Sequence, residues 1–202
     1  MTPLVHVVDD DDSVRDALGF LLRSAPYAVE VYPSAAAFLA VPPRCVEACL
    51  LTDIRMPGMD GLDLQKTVTA RFPTLPVIIM TGHGDVPLAV RAMRAGALDF
   101  LEKPFEDDRL FDAIARALAE GRRRADGDAA RRAAEKALAQ LTPREAEVFA
   151  LLADGEATKA IAIRLGISPR TAEVHRLRVM EKMQARSVAD LARSAFILGR
   201  TA

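Results

Sequence analysis

The chain has 202 residues, of which 50% are hydrophobic, and a formal net charge of −1 at pH 7. A chain of this length can bury a substantial core in one domain or two. No run of about 18 apolar residues could span a bilayer, and the N-terminal residues lack a basic region followed by an apolar one, so the sequence predicts a cytoplasmic protein with no membrane partner. Cys45 and Cys49 have no second Cys or His pair at zinc-like spacing, which predicts reduced, partly buried thiols.

The charges are distributed unevenly along the chain. Residues 1–120 hold 11 Lys and Arg against 18 Asp and Glu, a net charge of −7. Residues 121–140 hold 6 against 3 and residues 141–202 hold 10 against 7, so each of these segments has a net charge of +3. An acidic first half and a basic remainder indicate separate partners.

Short apolar runs alternate with segments of helical spacing through the first 120 residues. Strands rich in Val, Ile and Leu and separated by helices predict an α/β doubly wound, flavodoxin-like fold with a parallel five-stranded sheet in the order 2-1-3-4-5. Such sheets bind ligands at the carboxyl ends of their strands. The predicted strands are 4–8, 29–32, 49–52, 77–81 and 98–101, and the predicted helices are 14–22, 34–39, 62–72, 86–93 and 105–118.

The composition changes after residue 120. Residues 121–140 are rich in Ala, Arg and Glu, which predicts a linker that is itself helical. Residues 141–202 predict a small all-α domain of four helices, of which the first begins at Thr142-Pro143 and the third at Ser168-Pro169. The tight turn before Ser168 joins the second helix to the third, which is the helix-turn-helix arrangement.

Five side chains of the first domain are expected at the carboxyl edge of the sheet: Asp9 and Asp10 after strand one, Asp53 at the end of strand three, Thr81 at the end of strand four and Lys103 after strand five. The three carboxylates would lie within a few ångströms of each other, and their repulsion requires a cation. Mg²⁺, which prefers oxygen ligands, is the expected one. Together with Lys103 and Thr81 it would allow Asp53 to attack a phosphoryl group. The alternative is that the aspartates only complement a helix N-terminus, as we expect for Asp11 and Asp12.

The segments VVDDDD (7–12), LLTDIRMPGMDG (50–61) and VIIMTGHGDVPLAVRAMRAGALDFLEKPF (77–105) resemble the receiver domain of response regulators. This resemblance covers residues 1–120. It implies that a sensor histidine kinase phosphorylates Asp53, and that Asp10, Asp53 and the backbone carbonyl of Arg55 bind Mg²⁺ with help from Asp9. It also implies that Lys103 and Thr81 contact the phosphoryl group, that Phe100 is an aromatic switch coupled to Thr81, and that the Lys103-Pro104 peptide is cis. We expect His83 to be an ordinary loop residue rather than a catalytic base.

The third helix of the second domain has two faces at about 100° per residue. Ala172, Val179 and Met183, with Met180 nearby, form a core face, and the opposite face suits the major groove of DNA. We expect phosphate contacts from Lys159, Arg176 and Lys182. The full set of predicted DNA contacts is Lys159, Ser168, Arg170, Thr171, Glu173, Val174, Arg176, Leu177, Arg178 and Lys182. The alternative is a solvated charged surface.

The segment LTPREAEVFALLADGEATKAIAIRLGISPRTAEVHRLRVMEKM (141–183) resembles the LuxR/NarL-type effector domain, and ISPRTAEVHR, TGHGDVP and EKPFED resemble the FixJ subgroup. The resemblance implies a transcription factor that dimerises on phosphorylation, binds double-stranded promoter DNA and acts on the transcription machinery. Because the effector segment has a net charge of only +3, we expect paired half-sites to be needed for affinity.

Three hypotheses follow from these patterns. The leading one is a phosphorylation-switched transcription factor that is not an enzyme, although it could promote its own dephosphorylation. The second is a phosphohydrolase or phosphotransferase for small substrates, which would need a lid and a general acid or base that the sequence does not offer. The third is a phosphorylation-independent DNA-binding regulator whose first domain is a docking module.

Overall fold

The computed structural model describes residues 2–41, 47–82 and 86–200, with the backbone alone at Val86. Cys45 and His83, for which roles were predicted above, lie outside the described residues. The chain forms two compact units, residues 1–125 and 126–202.

The first unit contains a parallel sheet of five strands in the order β2-β1-β3-β4-β5, which confirms the predicted doubly wound topology. Its strands are β1 (Leu4–Val8), β2 (Ala28–Tyr32), β3 (Ala48–Asp53), β4 (Val77–Thr81) and β5 (Asp99–Glu102). The helices between and after them are α1 (Asp12–Ser24), α2 (Ala35–Leu39), α3 (Gly61–Arg71), α4 (Val86–Arg94) and α5 (Asp107–Leu138).

Both faces of the sheet are covered, because alternate residues of the central strands enter different apolar clusters. Leu50 and Ile79 pack with Phe38 and Leu64 of the helices on one face. Cys49, Leu51, Ile78 and Met80 pack on the other face, with residues of α1 and α5. Burial on both faces explains why these strands read as continuous apolar runs. Complete burial also raises the pKa of the Cys49 thiol to about 12, which leaves it protonated and unreactive.

The four consecutive aspartates divide between the sheet and α1. Asp9 is buried, whereas Asp11 is the N-cap of α1 and accepts hydrogen bonds from the backbone N–H groups of Ser13 and Val14. Asp12 lies in the first turn of the helix. The predicted helix-terminal role of Asp11 and Asp12 is therefore confirmed.

Helix α5 begins at Asp107 and continues to Leu138, so the predicted end near residue 118 is wrong. Gly121 does not interrupt the helix, because it is buried and packs so closely that a Cβ there would lie 3.1 Å from Cδ of Pro76. Ion pairs at helical spacing, such as Glu120 with Arg124 and Glu135 with Arg131, support the polar part of the helix. The domain boundaries at residues 120 and 140 remain predictions.

The second unit contains, after the end of α5, the helices α6 (Pro143–Ala153), α7 (Thr158–Arg164), α8 (Pro169–Lys182) and α9 (Val188–Ile197). Thr142, Ser168 and Ser187 are N-caps of α6, α8 and α9, and their side chains accept backbone N–H groups of the first turns. Gly166, with φ +64°, allows the tight turn between α7 and α8. No helix in the described part of the chain is long and apolar enough to cross a membrane.

Candidate functional site

The strand register brings one polar residue from each of four strands to the same edge of the sheet. Val8 pairs with Thr52, so Asp9, directly after β1, lies at the same level as Asp53, the last residue of β3. Asp53 pairs with Met80, and the residue after Met80 is Thr81, which itself pairs with Glu102 of β5. Lys103 directly follows that pair. The predicted carboxyl-edge position of these residues is confirmed.

Lys103 connects the two central carboxylates. Its Nζ donates to Oδ2 of Asp9 at 2.7 Å and to Oδ1 of Asp53 at 2.6 Å. Asp9 and Asp53 are only 2% and 8% exposed. Burial disfavours the charge on Lys103, but the hydrogen bonds to Asp53 and Asp9 outweigh it and raise the pKa of the ammonium above its usual value. The arrangement is a buried pair of acids with one shared cation.

Backbone and arginine donors hold the same two aspartates from other sides. The second carboxylate oxygen of Asp53 accepts the backbone N–H of Arg55 at 2.7 Å. The second carboxylate oxygen of Asp9 accepts the N–H of Asp11 at 3.0 Å, and its backbone carbonyl accepts an N–H of the Arg15 guanidinium at 2.6 Å. Both carboxylates are therefore fixed in orientation, which suits a site that must present an oxygen in one direction.

The expected gathering of three carboxylates is not found. Among the described residues, no three His, Cys, Asp or Glu side chains lie close enough to hold a metal ion together. Asp10 is exposed, whereas Asp9 and Asp53 are buried and bound to Lys103, so the ammonium supplies the compensation that a metal ion was expected to give. The donors still suit Mg²⁺ chemically, since all the predicted ligands are carboxylate or carbonyl oxygens.

Of the two predicted switch residues, Thr81 contacts Lys103 of the pocket and Phe100 lies in β5 against the apolar core. Thr81 is 1% exposed, and its backbone carbonyl accepts the N–H of Lys103 at 2.7 Å. Phe100 is partly buried and packs against the cluster that contains Ile79 and Leu88. The Lys103-Pro104 peptide is cis, as the resemblance implied.

Two residues of the pocket were missed in the sequence. A Cβ at Gly61 would lie 2.1 Å from the carbonyl oxygen of Asp53 and 2.9 Å from Cα of Ile54, so only glycine fits there. A glycine at the start of a helix, eight residues after Asp53, was the available signal. Arg15 had no signal beyond its position one helical turn after Asp12.

The predicted faces of α8 are separated as expected. Ala172 and Val179 are fully buried and Met183 is nearly so, which confirms the core face. Val174 and Leu177 are 42% and 57% exposed, and Arg170 and Arg178 are exposed on the same helix. An exposed stripe of arginines and apolar side chains on the second helix of a helix-turn-helix suits base and methyl contacts in the major groove.

Two of the predicted phosphate contacts are engaged within the protein. The guanidinium of Arg176 donates to the Glu173 carboxylate, at 2.7 Å from NH2 to Oε1. The Nζ of Lys182 donates to Oε2 of Glu145 at 2.6 Å, and Glu145 is 2% exposed. The hydrogen bonds from Lys182 and from the Thr142 backbone lower the pKa of Glu145 to about 2. Lys159, in contrast, is exposed at the start of α7.

Comparison with known proteins assigns both units. Residues 5–115 match the family model of the response regulator receiver domain, and residues 139–195 match that of the bacterial regulatory proteins of the luxR family. The chain belongs to the response regulators that carry a LuxR-type DNA-binding domain. It is a transcriptional regulator, as predicted, and its relatives include the predicted FixJ subgroup.

The similarity extends over the whole chain. The chain is 49% identical to the transcriptional regulatory protein FixJ of Azorhizobium caulinodans over 96% of its own length and 92% of that protein. It is 48% identical to the C4-dicarboxylate transport transcriptional regulatory protein DctR of Rhodobacter capsulatus, over 96% and 99%. A structure of the response regulator StyR matches with a TM-score of 0.82 at 42% identity, over 97% and 99%.

Proposed function

We propose that Asp53 is the phosphoacceptor of this response regulator and that a sensor histidine kinase supplies the phosphoryl group. One carboxylate oxygen attacks phosphorus, the bond from phosphorus to the kinase histidine breaks, and the histidine leaves. The observation that carries the proposal is the position of Lys103, whose ammonium is bound to Asp53 and to Asp9 in a buried site. A cation at that place can compensate the charge that a phosphoryl group brings.

Mg²⁺ is the cofactor of this proposal. Asp9, Asp10, Asp53 and the backbone carbonyl of Arg55 would hold it, and it would neutralise oxygens of the entering phosphoryl group. The resident ammonium already neutralises part of the acidic pocket, so the ion and Lys103 compete for the same carboxylates. Thr81 would donate to the phosphoryl group. The same pocket would also promote slow hydrolysis of the phosphoaspartate.

The change at Asp53 would be passed to the surface through Thr81 and Phe100. Thr81 is hydrogen bonded to Lys103 through its backbone, and Phe100 lies in the strand that ends just before Lys103. Movement of Thr81 toward the phosphoryl group would let Phe100 turn inward and reshape the surface formed by α4, β5 and α5. That surface would then form a homodimer.

The dimer would bind promoter DNA through α8 and engage the transcription machinery in the cytoplasm. Arg170, Val174, Leu177 and Arg178 would face the bases, and Lys159 would contact phosphate, with Ser168 and Thr171 at the N-terminus of the helix. Glu173 and Arg176 would enter as the pair they form with each other. Lys182 contributes to DNA binding only if it leaves Glu145, so we assign it a structural role.

Mass spectrometry after incubation with a small acyl phosphate and Mg²⁺ tests the phosphoacceptor. We expect the mass of the natural chain to increase by one phosphoryl group, located in the peptide that contains Asp53. We expect no increase for Asp53→Asn. The control is Asp60→Asn, which changes the partly buried N-cap of α3 to another capping residue and should leave labelling intact. Labelling of Asp53→Asn equal to that of the natural chain would reject the assignment.

A further inference from the structure

Arg15 is an unusually enclosed arginine for a residue of an amphipathic surface helix. Its side chain is 12% exposed although it lies in the first turns of α1. One end of the guanidinium donates to the backbone carbonyl of Asp9 at 2.6 Å, and the other end pairs with the Asp12 carboxylate. The guanidinium thus spans the turn that joins β1 to α1.

This turn carries a concentration of negative charge that needs compensation. Asp9, Asp10, Asp11 and Asp12 follow each other directly, and Asp53 lies beside Asp9 through Lys103. Lys103 neutralises the inner side of the cluster, where Asp9 and Asp53 meet. Arg15 lies on the outer side and bonds to the first and last residues of the run.

The contacts of Asp9 show what Arg15 adds. One carboxylate oxygen of Asp9 is bound by Lys103 and the other by the N–H of Asp11, while its own N–H donates to the carbonyl of Tyr32 at 3.3 Å. Its carbonyl oxygen is the remaining acceptor, and Arg15 occupies it. Without this bond, the peptide between Asp9 and Asp10 could rotate, and the direction of the Asp10 side chain would change with it.

We propose that Arg15 is a positioning residue for the cation site of the pocket. It holds the turn from Asp9 to Asp12 so that Asp9 and Asp10 stay in place for Mg²⁺, and this inference rests on the proposed function. The ion pair with Asp12 alone would contribute little, because the Asp12 side chain is exposed and surface ion pairs are weak. The bond to the carbonyl of a residue that itself lies in the pocket gives Arg15 its effect.

The test is the affinity of the unphosphorylated full chain for Mg²⁺, measured by titration calorimetry. Arg15→Ala should weaken binding about tenfold, the lower end of the range for residues that orient metal ligands. Arg15→Lys should restore part of it, because a lysine can donate to the Asp9 carbonyl but lacks the planar, preorganised guanidinium that holds this bond in one direction. Asp12→Asn, which keeps the bond to Asp9, and Arg23→Ala, at the exposed end of α1, should bind within about twofold of the natural chain.

A kinetic measurement separates positioning from general damage. The rate of labelling by a small acyl phosphate should fall in Arg15→Ala at low Mg²⁺ and recover at saturating Mg²⁺, because the defect is in affinity. If Arg15→Ala does not fold, Arg15→Lys decides the matter by the same two measurements.

Two results would overturn the inference in different ways. In the first, the natural chain binds Mg²⁺ and is labelled, and Arg15→Ala binds Mg²⁺ within about twofold of it. This result rejects the role of Arg15 and leaves the proposed function intact. Failure of the natural chain to bind Mg²⁺ or to be labelled rejects the proposed function, and the role of Arg15 with it.

Discussion

The carbonyl oxygen of Asp53 lies where a Cβ of residue 61 would have to be, at a distance of 2.1 Å. Gly61 therefore lets the N-terminus of α3 approach the end of β3, and its N–H donates to the carbonyl of Ile54 at 2.9 Å. The loop between β3 and α3 is closed by this contact. The close approach fixes the position of Asp53 relative to α3.

We expect Gly61→Ala to destabilise the protein by about 1–3 kcal/mol, because β3 or α3 must shift to make room for the methyl group. Labelling of Asp53 should slow as well. Urea unfolding of the full chain measures the stability, with one probe in the first unit for Gly61→Ala and one in the second unit for Gly127→Ala. Gly127→Ala is the matched control: nothing lies within 4 Å of a Cβ there, and we expect a gain of about 0.5–1 kcal/mol in the helix. Equal effects at the two glycines would contradict the close approach.

His6 should make the stability depend on pH. The His6 side chain is buried, with 1% of the residue exposed. The Tyr32 hydroxyl donates its one proton to Glu30, so Nδ1 of His6 is the donor in its hydrogen bond with the Tyr32 oxygen. Nε2 of His6 has no hydrogen-bond partner in the described structure. Burial lowers the pKa of His6 below its usual value, although Glu30 opposes the shift. The charged form is thus disfavoured in the folded state, so His6 costs no stability above its unfolded pKa of about 6.5.

As the pH falls from about 6.5 through the lower pKa of the folded state, the unfolded chain binds the proton first and stability is lost. Thermal melts of the natural chain and of His6→Leu between pH 7.5 and pH 5 test this. The difference between the two curves should grow as the pH falls, and a constant difference would show that His6 does not titrate on unfolding.

Lys103→Met should separate metal binding from phosphoryl acceptance. Removal of the ammonium leaves the Asp9 and Asp53 carboxylates without their shared cation, so we expect Mg²⁺ to bind several-fold more tightly. The rate of labelling should fall about 10²-fold or more, because a charge that compensates the phosphoryl group is lost. Lys66→Met, an exposed lysine paired with Asp63 on α3, is the control for loss of a charge. Unchanged Mg²⁺ affinity would mean that the ion and the ammonium do not share ligands.

Two lysines of the second unit should behave differently in DNA binding. Lys159→Gln is expected to reduce the slope of log affinity against log salt by about 1, as for loss of one phosphate contact. Lys182→Gln should leave the slope nearly unchanged but destabilise the second unit by about 1–3 kcal/mol, because Glu145 loses its buried partner. Salt titrations of DNA affinity and thermal melts measure both. An equal fall in slope for the two variants would return Lys182 to the DNA interface.

Much of the fold could be predicted because the relevant signals are local. Continuous runs of Val, Ile and Leu indicate buried parallel strands. Thr142 and Ser168, each followed by proline, were recognisable as helix starts, and the structure shows them as N-caps. The strand order followed from the doubly wound pattern. The predicted end of the fifth helix was wrong because the helix continues through Gly121, which packs closely against Pro76. Pro76 lies 45 positions earlier in the chain, so no local sequence pattern reveals this contact.

The site was predictable as a set of positions but not as a set of contacts. Parallel strands bring their ends together, so Asp9, Asp53, Thr81 and Lys103 could be assigned to one edge. That Lys103 would bridge Asp9 and Asp53 depends on side-chain directions that spacing does not fix. The same holds for Lys182, whose partner Glu145 lies 37 residues away in the sequence.

If Asp53 is the phosphoacceptor that controls transcription, its phosphorylation must change DNA binding by the full chain. A DNA fragment selected with the phosphorylated protein can be titrated with the natural chain and followed by fluorescence anisotropy, with and without a small acyl phosphate and Mg²⁺. Asp53→Asn is titrated in the same way, and the mass of each protein in solution is measured. We expect the phosphorylated natural chain to be a dimer and to bind at least about tenfold more tightly, a gain of about 1.4 kcal/mol or more, and we expect no change for Asp53→Asn. Equal affinity in all four conditions, with Asp53 shown to be phosphorylated, would contradict this expectation and indicate a DNA-binding regulator whose receiver domain serves only for docking.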